Sequence, residues 1–288
     1  MRYALVIVLG CALWLGGCGG EDKAQGEQDP PAFTVNDAGP VHVHGLGINP
    51  GDGSLFIATH TGMFRAADGQ TRARRVGGTF QDTMGFTVVG PDRFLGSGHP
   101  DVRDKLPPFL GLIRSADAGR SWRPVSLLGK RDFHVLEAAG SRVYGYGSDF
   151  ETREQGLLVS QDAGRSWEER DVPEPLIALA IDPVDPDRLV ASGERTLSQS
   201  EDGGRSWFPV DAPAGLVAWD EGLTIVDADG VVHAAQDLGR RTRPVGNIDG
   251  QPAALESGPD GELYVALHDG TVKRSDDGGR DWTVRSTP

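Results

Sequence analysis

The chain has 288 residues and a formal net charge of -14. That balance excludes nucleic acid and an anionic lipid surface as electrostatic partners, because both call for a basic face. Its 41 glycines, 19 prolines and 38% hydrophobic residues describe a chain with many turns and enough apolar side chain for a sizeable core, which points to an all-β protein.

Residues 1–17 read as a signal peptide. One basic residue, Arg2, precedes an apolar run from Tyr3 to Leu15, too short to span a bilayer. The run closes on Leu15-Gly16-Gly17-Cys18, which resembles a bacterial lipobox. The resemblance implies that Cys18 becomes a lipid-bearing N-terminus and that the chain is a membrane-anchored lipoprotein on the extracytoplasmic side, periplasmic or outer-surface. An ordinary secretory signal is the alternative. Both cysteines, Cys11 and Cys18, fall in this leader. The remainder therefore offers no disulfide, thiolate metal site or cysteine nucleophile. Residues 18–40 are rich in Gly, Pro, Gln and acidic side chains, and are expected to form a flexible tether.

The body, residues 41–288, repeats itself. "SADAGRSW", "SQDAGRSW", "SEDGGRSW" and "SDDGGRDW" begin at Ser115, Ser160, Ser200 and Ser275. The last interval is about twice the others, and "AQDLGRRT" from Ala235 fits as a degenerate copy within it. "AADG" from Ala66 is a further weak copy. Each unit reads as four short strands separated by Gly/Pro/Asp turns, with the octapeptide between strands three and four. About six such units predict a β-propeller of four-stranded antiparallel blades, with six blades or seven.

The octapeptide resembles the Asp-box, or BNR repeat, of sialidases, sortilin-type receptors and photosystem assembly factors. The expected roles are structural. Asp117, Asp162, Asp202 and Asp277 should accept backbone hydrogen bonds within their own turns. Trp122, Trp167, Trp207 and Trp282 should pack beside the blades. The whole chain is also similar to bacterial Asp-box lipoproteins often labelled glycosyl hydrolases, a label that rests on the fold alone.

Propeller connectivity sorts the candidate site residues. Loops between strands two and three share a face with the entries to each blade, whereas the octapeptides lie on the other face. Aligned second strands end at His60, His99, Ser148, Glu194 and His268; aligned first strands begin at His44, Met84, His134 and Ile177. His42 lies two residues before His44 and points the same way if the strand is regular. Six of the seven histidines thus share the face away from the octapeptides, together with two longer insertions, 100–111 and 149–156. His42, His44, His60, Met84, His99, His134, Glu194 and His268 are the candidate ligand-binding residues.

This pattern suggests a non-catalytic module that binds or assembles with a ligand or protein through its histidine face. Two alternatives stand beside it. An exo-sialidase-like glycoside hydrolase would act on glycan, but its arginine cluster and Tyr/Glu pair are not identifiable, so no catalytic residue is assigned. A metal-handling lipoprotein would use His42, His44, His60, Met84, His99 and His134, because imidazole and thioether suit copper or zinc. No cofactor is fixed by the sequence; a transition metal is the candidate.

Overall fold

The computed structural model describes residues 39–288. The expected signal peptide, Cys18 and nearly all of the expected tether lie outside the described residues. The described residues all belong to one compact unit.

Alternating apolar residues and tight turns build six antiparallel sheets of four strands each, and every sheet is formed from consecutive strands. The first blade comprises β1 (Val43–Ile48), β2 (Leu55–Thr59), β3 (Gly62–Ala66) and a short β4 (Arg74–Arg75). The second comprises β5 (Asp82–Gly90), β6 (Arg93–His99), β7 (Leu112–Ser115) and β8 (Arg123–Ser126). The third has β9 (Arg131–Ala139), β10 (Arg142–Asp149), β11 (Gln155–Ser160) and β12 (Glu168–Arg170). The fourth has β13 (Leu176–Ile181), β14 (Leu189–Gly193), β15 (Leu197–Ser200) and β16 (Phe208–Val210). The fifth has β17 (Gly215–Trp219), β18 (Leu223–Asp227), β19 (Val231–Gln236) and β20 (Arg241–Asn247), and the sixth β21 (Pro252–Ser257), β22 (Leu263–Leu267), β23 (Val272–Ser275) and β24 (Thr283–Ser286). The protein is a six-bladed β-propeller; the seven-bladed alternative is ruled out.

Its core is divided among the blade interfaces. Phe94 is fully buried at the first of these, stacked edge-on against Phe56 of the preceding blade and Phe86 of its own. Leu112 and Phe133 join blades two and three. The ring closes where Leu46 and Ile57 of the first blade pack with Ala254, Tyr264 and Val272 of the last. Burial of this kind contributes about 1.5–3 kcal/mol per large apolar side chain, so the closed ring removes two exposed sheet faces that an open arc would leave.

Each octapeptide is a hairpin lock, as its chemistry suggested. Ser160 Oγ donates to Asp162 Oδ1 and accepts the Gly164 N–H, while the two Asp162 oxygens accept the Ser166 N–H and hydroxyl. The same pattern recurs around Asp117 and Asp202, and around Asp277 without the hydroxyl, because Asp281 stands in place of the serine and donates its N–H alone. The tryptophans pack at the interface with the preceding blade: Trp122 against the first, Trp167 against the second, Trp207 against the third and Trp282 against the fifth. Trp167 Nε1 also donates to Ser126 Oγ of that preceding blade. At the degenerate copy, buried Leu238 fills the corresponding place against the fourth blade. At the weakest copy, near Ala66, the lock is replaced by Arg285 of β24, whose guanidinium donates to the carbonyls of Ala66, Ala67 and Gln70.

Candidate functional site

One irregularity, repeated around the ring, builds the site. The pairing of first and second strands shifts by one residue between Val43 and Gly45, Thr83 and Gly85, Phe133 and Val135, Leu176 and Ala178, and Pro252 and Ala254. The residues set apart by these bulges are His44, Met84, His134, Ile177 and Ala253. A bulge re-aims the side chain it carries, and these residues line a narrow axial cavity of ≈ 90 Å³. In the second strands, Gly98 and Gly147 make the room. A Cβ on either would collide with the carbonyl oxygen of Asp82 or Asp132, respectively.

The same bulges alter one expectation. His42 and His44 are not successive same-face residues of a regular strand, because His42 has φ 54° and His44 sits in the bulge. They still approach one cluster from different sides. The His60 ring lies 6.4 Å from that of His42 and 6.2 Å from that of His44.

Two carboxylates that the sequence reading passed over organise the rim. Asp82 precedes Met84 by two residues, and Asp132 precedes His134 by two. Extending the alignment of first strands two residues upstream from His44 would have found both, opposite His42. Asp82 Oδ2 lies 2.8 Å from His60 Nδ1, and its Oδ1 lies 3.6 Å from His44 Nε2. His44 Nε2 and Asp82 Oδ1 are buried and have no hydrogen-bond partner. One ligand atom from each of His44, His60 and Asp82 falls within 4.8 Å of the others. Asp132 Oδ2 receives His134 Nε2 at 3.0 Å and His99 Nε2 at 3.2 Å, and its Oδ1 is left without a partner.

The electrostatics divide these groups. Burial, reinforced by the nearby imidazoles of His60, His134 and His42, lowers His44 to about 4, so its ring is neutral at neutral pH. Burial also pushes the Asp82 carboxyl up. At Asp132, burial acts in the same sense, but hydrogen bonds from His134 and His99 outweigh it and hold the carboxyl at about 2. The hydrogen bond to Asp132 in turn raises His99 to about 9. Asp82 is therefore an under-compensated buried acid, while Asp132 is a compensated one.

The other expected residues lie apart. Glu194 is exposed at the β14–β15 turn and His268 is exposed after β22; among the described residues neither shares a hydrogen bond, ion pair or ring contact with the cluster. His233 pairs with Asp227 within the fifth blade at 2.8 Å. Deeper in the channel, below the rim, Glu137 of β9 and Glu256 of β21 line both the narrow cavity and a wider one of ≈ 410 Å³ that opens toward the octapeptide face. Enclosure by the ring pushes both carboxyls up, Glu137 further through its repulsion from Glu256. Neither glutamate stands out in the sequence, because each sits in an ordinary alternating strand. The tyrosines of the body are taken up elsewhere: Tyr144, Tyr146 and Tyr264 are buried in their blades, and their hydroxyls donate to Pro186, Gln155 and Glu262.

The insertion at 100–111 is pinned to this rim. Asp101 accepts the Phe80 and Arg103 N–H groups. The Leu110 N–H donates to the Gly98 carbonyl, and the Pro108 carbonyl meets His99 Nδ1 at 2.9 Å. Phe109 stacks edge-on between His99 and Phe150, the latter from the second insertion.

Comparison with known proteins supports the architecture and stops there. No protein-family model matches the chain, and no curated protein matches it. Among solved structures it is similar to a gluconolactonase, XC5397 from Xanthomonas campestris, with 15% identity over 86% of this chain and 88% of that one and a TM-score of 0.63. It is also similar to YCF48 from Cyanidioschyzon merolae, with 14% identity over 85% of each chain and a TM-score of 0.51. At such identities the likeness is one of fold, and it is to β-propellers that the chain is alike.

Proposed function

We propose that this protein is a non-catalytic binding module, tethered by lipid outside the cytoplasmic membrane, whose channel rim holds a divalent transition-metal ion through His44, His60 and Asp82. One observation carries the reading. Three donor atoms converge within 4.8 Å, and two of them, His44 Nε2 and Asp82 Oδ1, are buried without a partner. Buried polar atoms are ordinarily satisfied, and an orphaned nitrogen beside an orphaned carboxylate oxygen is satisfied by a cation. Two imidazoles and one carboxylate suit zinc, with a fourth position left for water or an incoming ligand. Lowering of His44 keeps its lone pair free at neutral pH. The Asp-box resemblance agrees with a scaffold role for the octapeptides and is silent on the rim.

The test is zinc titration of the purified protein by calorimetry. The reading expects uptake of one equivalent by the wild-type protein, lost in His44→Ala and in His60→Ala. Uptake that is absent, or unchanged in both variants, removes it.

A second reading, glycoside hydrolysis, draws support from Glu137 and Glu256. Two enclosed carboxyls, both pushed up by burial, are the residue types an acid-and-base pair needs. It predicts turnover of a fluorogenic glycoside panel that disappears in Glu137→Gln and in Glu256→Gln and survives His60→Ala. The buried tyrosines speak against the sialidase form of that chemistry, which uses a tyrosine nucleophile.

A further inference from the structure

Below the bulges the first strands form a second layer around the channel, and its composition is lopsided. Three residues beyond each bulge stand Gly47, Thr87, Glu137, Ala180 and Glu256; Ala218 takes the same place in β17, one pair before the end of its ladder. Four of the six side chains are small, and the two long ones are acids. Blades three and six lie opposite each other in a ring of six, so Glu137 and Glu256 come from opposite walls. The short side chains of Thr87, Ala180 and Ala218 leave room for the chamber of ≈ 410 Å³ that all five residues line. That volume falls within the range of small-molecule sites.

We propose that this chamber is a second binding site, separate from the histidine rim, and that it takes an organic amine in its ammonium form. The charge is held between Glu137 and Glu256, and the hydrocarbon lies against the apolar walls of blades four to six. The inference goes beyond the metal reading of the rim and does not rest on it.

Three observations point to a cation with an apolar body. The first is that neither glutamate has a counter-charge. No lysine, arginine or histidine lines the chamber, and no basic group acts on either carboxyl. The protein gives Glu256 only the Ser257 N–H. Arg188, which lies over the Trp219 ring, is held by Asp182 at 2.6 Å. The second is that the pair weakens the fold when empty. Enclosed carboxyls without a cation are costly, and burial pushes both up, Glu137 further through Glu256. Small residues fill the same layer in the other four blades, so blade packing has no use for the two acids. A positive group from outside the chain offsets that cost.

The third observation selects the kind of cation. Leu179, Ile181, Val217, Trp219 and Leu255 make the rest of the lining largely apolar. A bare metal ion gains nothing from such walls. Calcium takes about six to eight oxygens, whereas the polar side chains here are two carboxyls and the hydroxyls of Thr87 and Ser257, the latter donating to the Trp219 carbonyl at 3.3 Å. An alkyl or aryl ammonium fits both halves of the chamber. Its N–H groups donate to the carboxylates, and its carbon body covers the apolar walls. Binding also carries a proton signature, because an adjacent positive charge favours the ionised acids and drives a proton from the pair into solvent.

The experiment uses the purified full chain. Benzylamine and hexylamine are titrated calorimetrically at pH 7, in two amine-free buffers of different ionisation enthalpy, beside benzyl alcohol and hexanol as uncharged counterparts. The proposal expects saturable uptake of one equivalent of amine, a binding heat that differs between the buffers as proton release requires, and no uptake of the alcohols. Glu137→Gln and Glu256→Gln should each weaken amine uptake at least about tenfold, while His60→Ala leaves it unchanged. Both glutamine variants remove an enclosed acid without changing its size and should fold; circular dichroism checks this. Absent amine uptake, uptake equal in the glutamine variants, or equal uptake of the alcohols overturns the proposal. Amine uptake by a protein that takes up no zinc would uphold the chamber and remove the rim reading. Turnover of the fluorogenic glycosides without amine uptake would overturn the chamber as an amine site and assign the two acids to hydrolysis.

Discussion

Asp82 and Asp132 occupy equivalent positions in neighbouring blades, yet the fold treats them differently. Asp132 gives up one oxygen to two imidazoles, and its carboxyl is held down at about 2. Asp82 has one good partner, His60, and burial pushes its carboxyl up. For an acid whose folded pKa is raised, the ionised form weakens the fold above that pKa; for one whose folded pKa is depressed, ionisation strengthens it. Asp82→Asn should therefore leave the melting temperature of the metal-free protein at neutral pH unchanged or raised, while zinc affinity falls at least about tenfold. Asp132→Asn should lower the melting temperature. Differential scanning calorimetry at pH 7 checks both, and a lower melting temperature for Asp82→Asn would mean that the carboxylate is there for stability. The histidines and Met84 were legible in the sequence because the strand alignment singled out the bulge position. The two aspartates were missed because the alignment began at His44, two residues short of them, and nothing local distinguishes them from other acidic residues near strand starts. Only the cross-blade approach of His60 and His99 reveals what they do.

Among the elements, the octapeptide hairpins show how far local chemistry can be read directly. Ser, Asp, Gly and Trp at fixed spacing meant a self-contained lock, and the bonds around Asp162 and Asp202 are those the residue types allow. What the spacing did not reveal is that each tryptophan reaches back to the preceding blade, so the lock is also a staple between blades. Its carboxylates carry a pH signature. The Ser166 N–H and hydroxyl hold Asp162 at about 2, and the Ser206 hydroxyl does the same for Asp202, also at about 2. Their contribution to stability is complete above the unfolded value near 3.8 and is lost as pH falls through about 2. The melting temperature should drop between pH 4 and pH 2, and Asp162→Asn/Asp202→Asn should flatten that drop. An unaltered slope in the double variant would show that other carboxylates set the acid limit. The bulges behave oppositely to the locks. They arise from the pairing of each first strand with its second, with glycines at 98 and 147 making room in blades two and three, and a single strand's letters do not announce them.

At the scale of the whole molecule, closure decides the geometry of the rim. Every blade uses consecutive strands, so among the described residues no strand is exchanged to latch the ring. The seam is held instead by the apolar cluster between blades six and one. It is strengthened by Arg285 on the carbonyls of Ala66, Ala67 and Gln70 and by the Thr287 N–H on the Thr71 carbonyl. Arg285→Ala should raise amide hydrogen exchange in β3, β4 and β24 first and leave β9–β12 protected. Uniform exchange across the ring would show that the seam is no weaker than the other interfaces. The repeat count made this architecture legible, because four clear octapeptides and two worn ones pointed to about six blades; the six four-stranded sheets exclude the seventh that the sequence left open. The same closure turns residues scattered from position 44 to position 134 into neighbours around one channel mouth. The most direct measurement of the central claim is a crystal of the protein soaked with zinc, with anomalous diffraction recorded at the zinc edge. The account predicts a peak bounded by His44 Nε2, His60 Nδ1 and the Asp82 carboxylate. A rim without a peak, or zinc bound only at surface carboxylates on the perimeter, would contradict it.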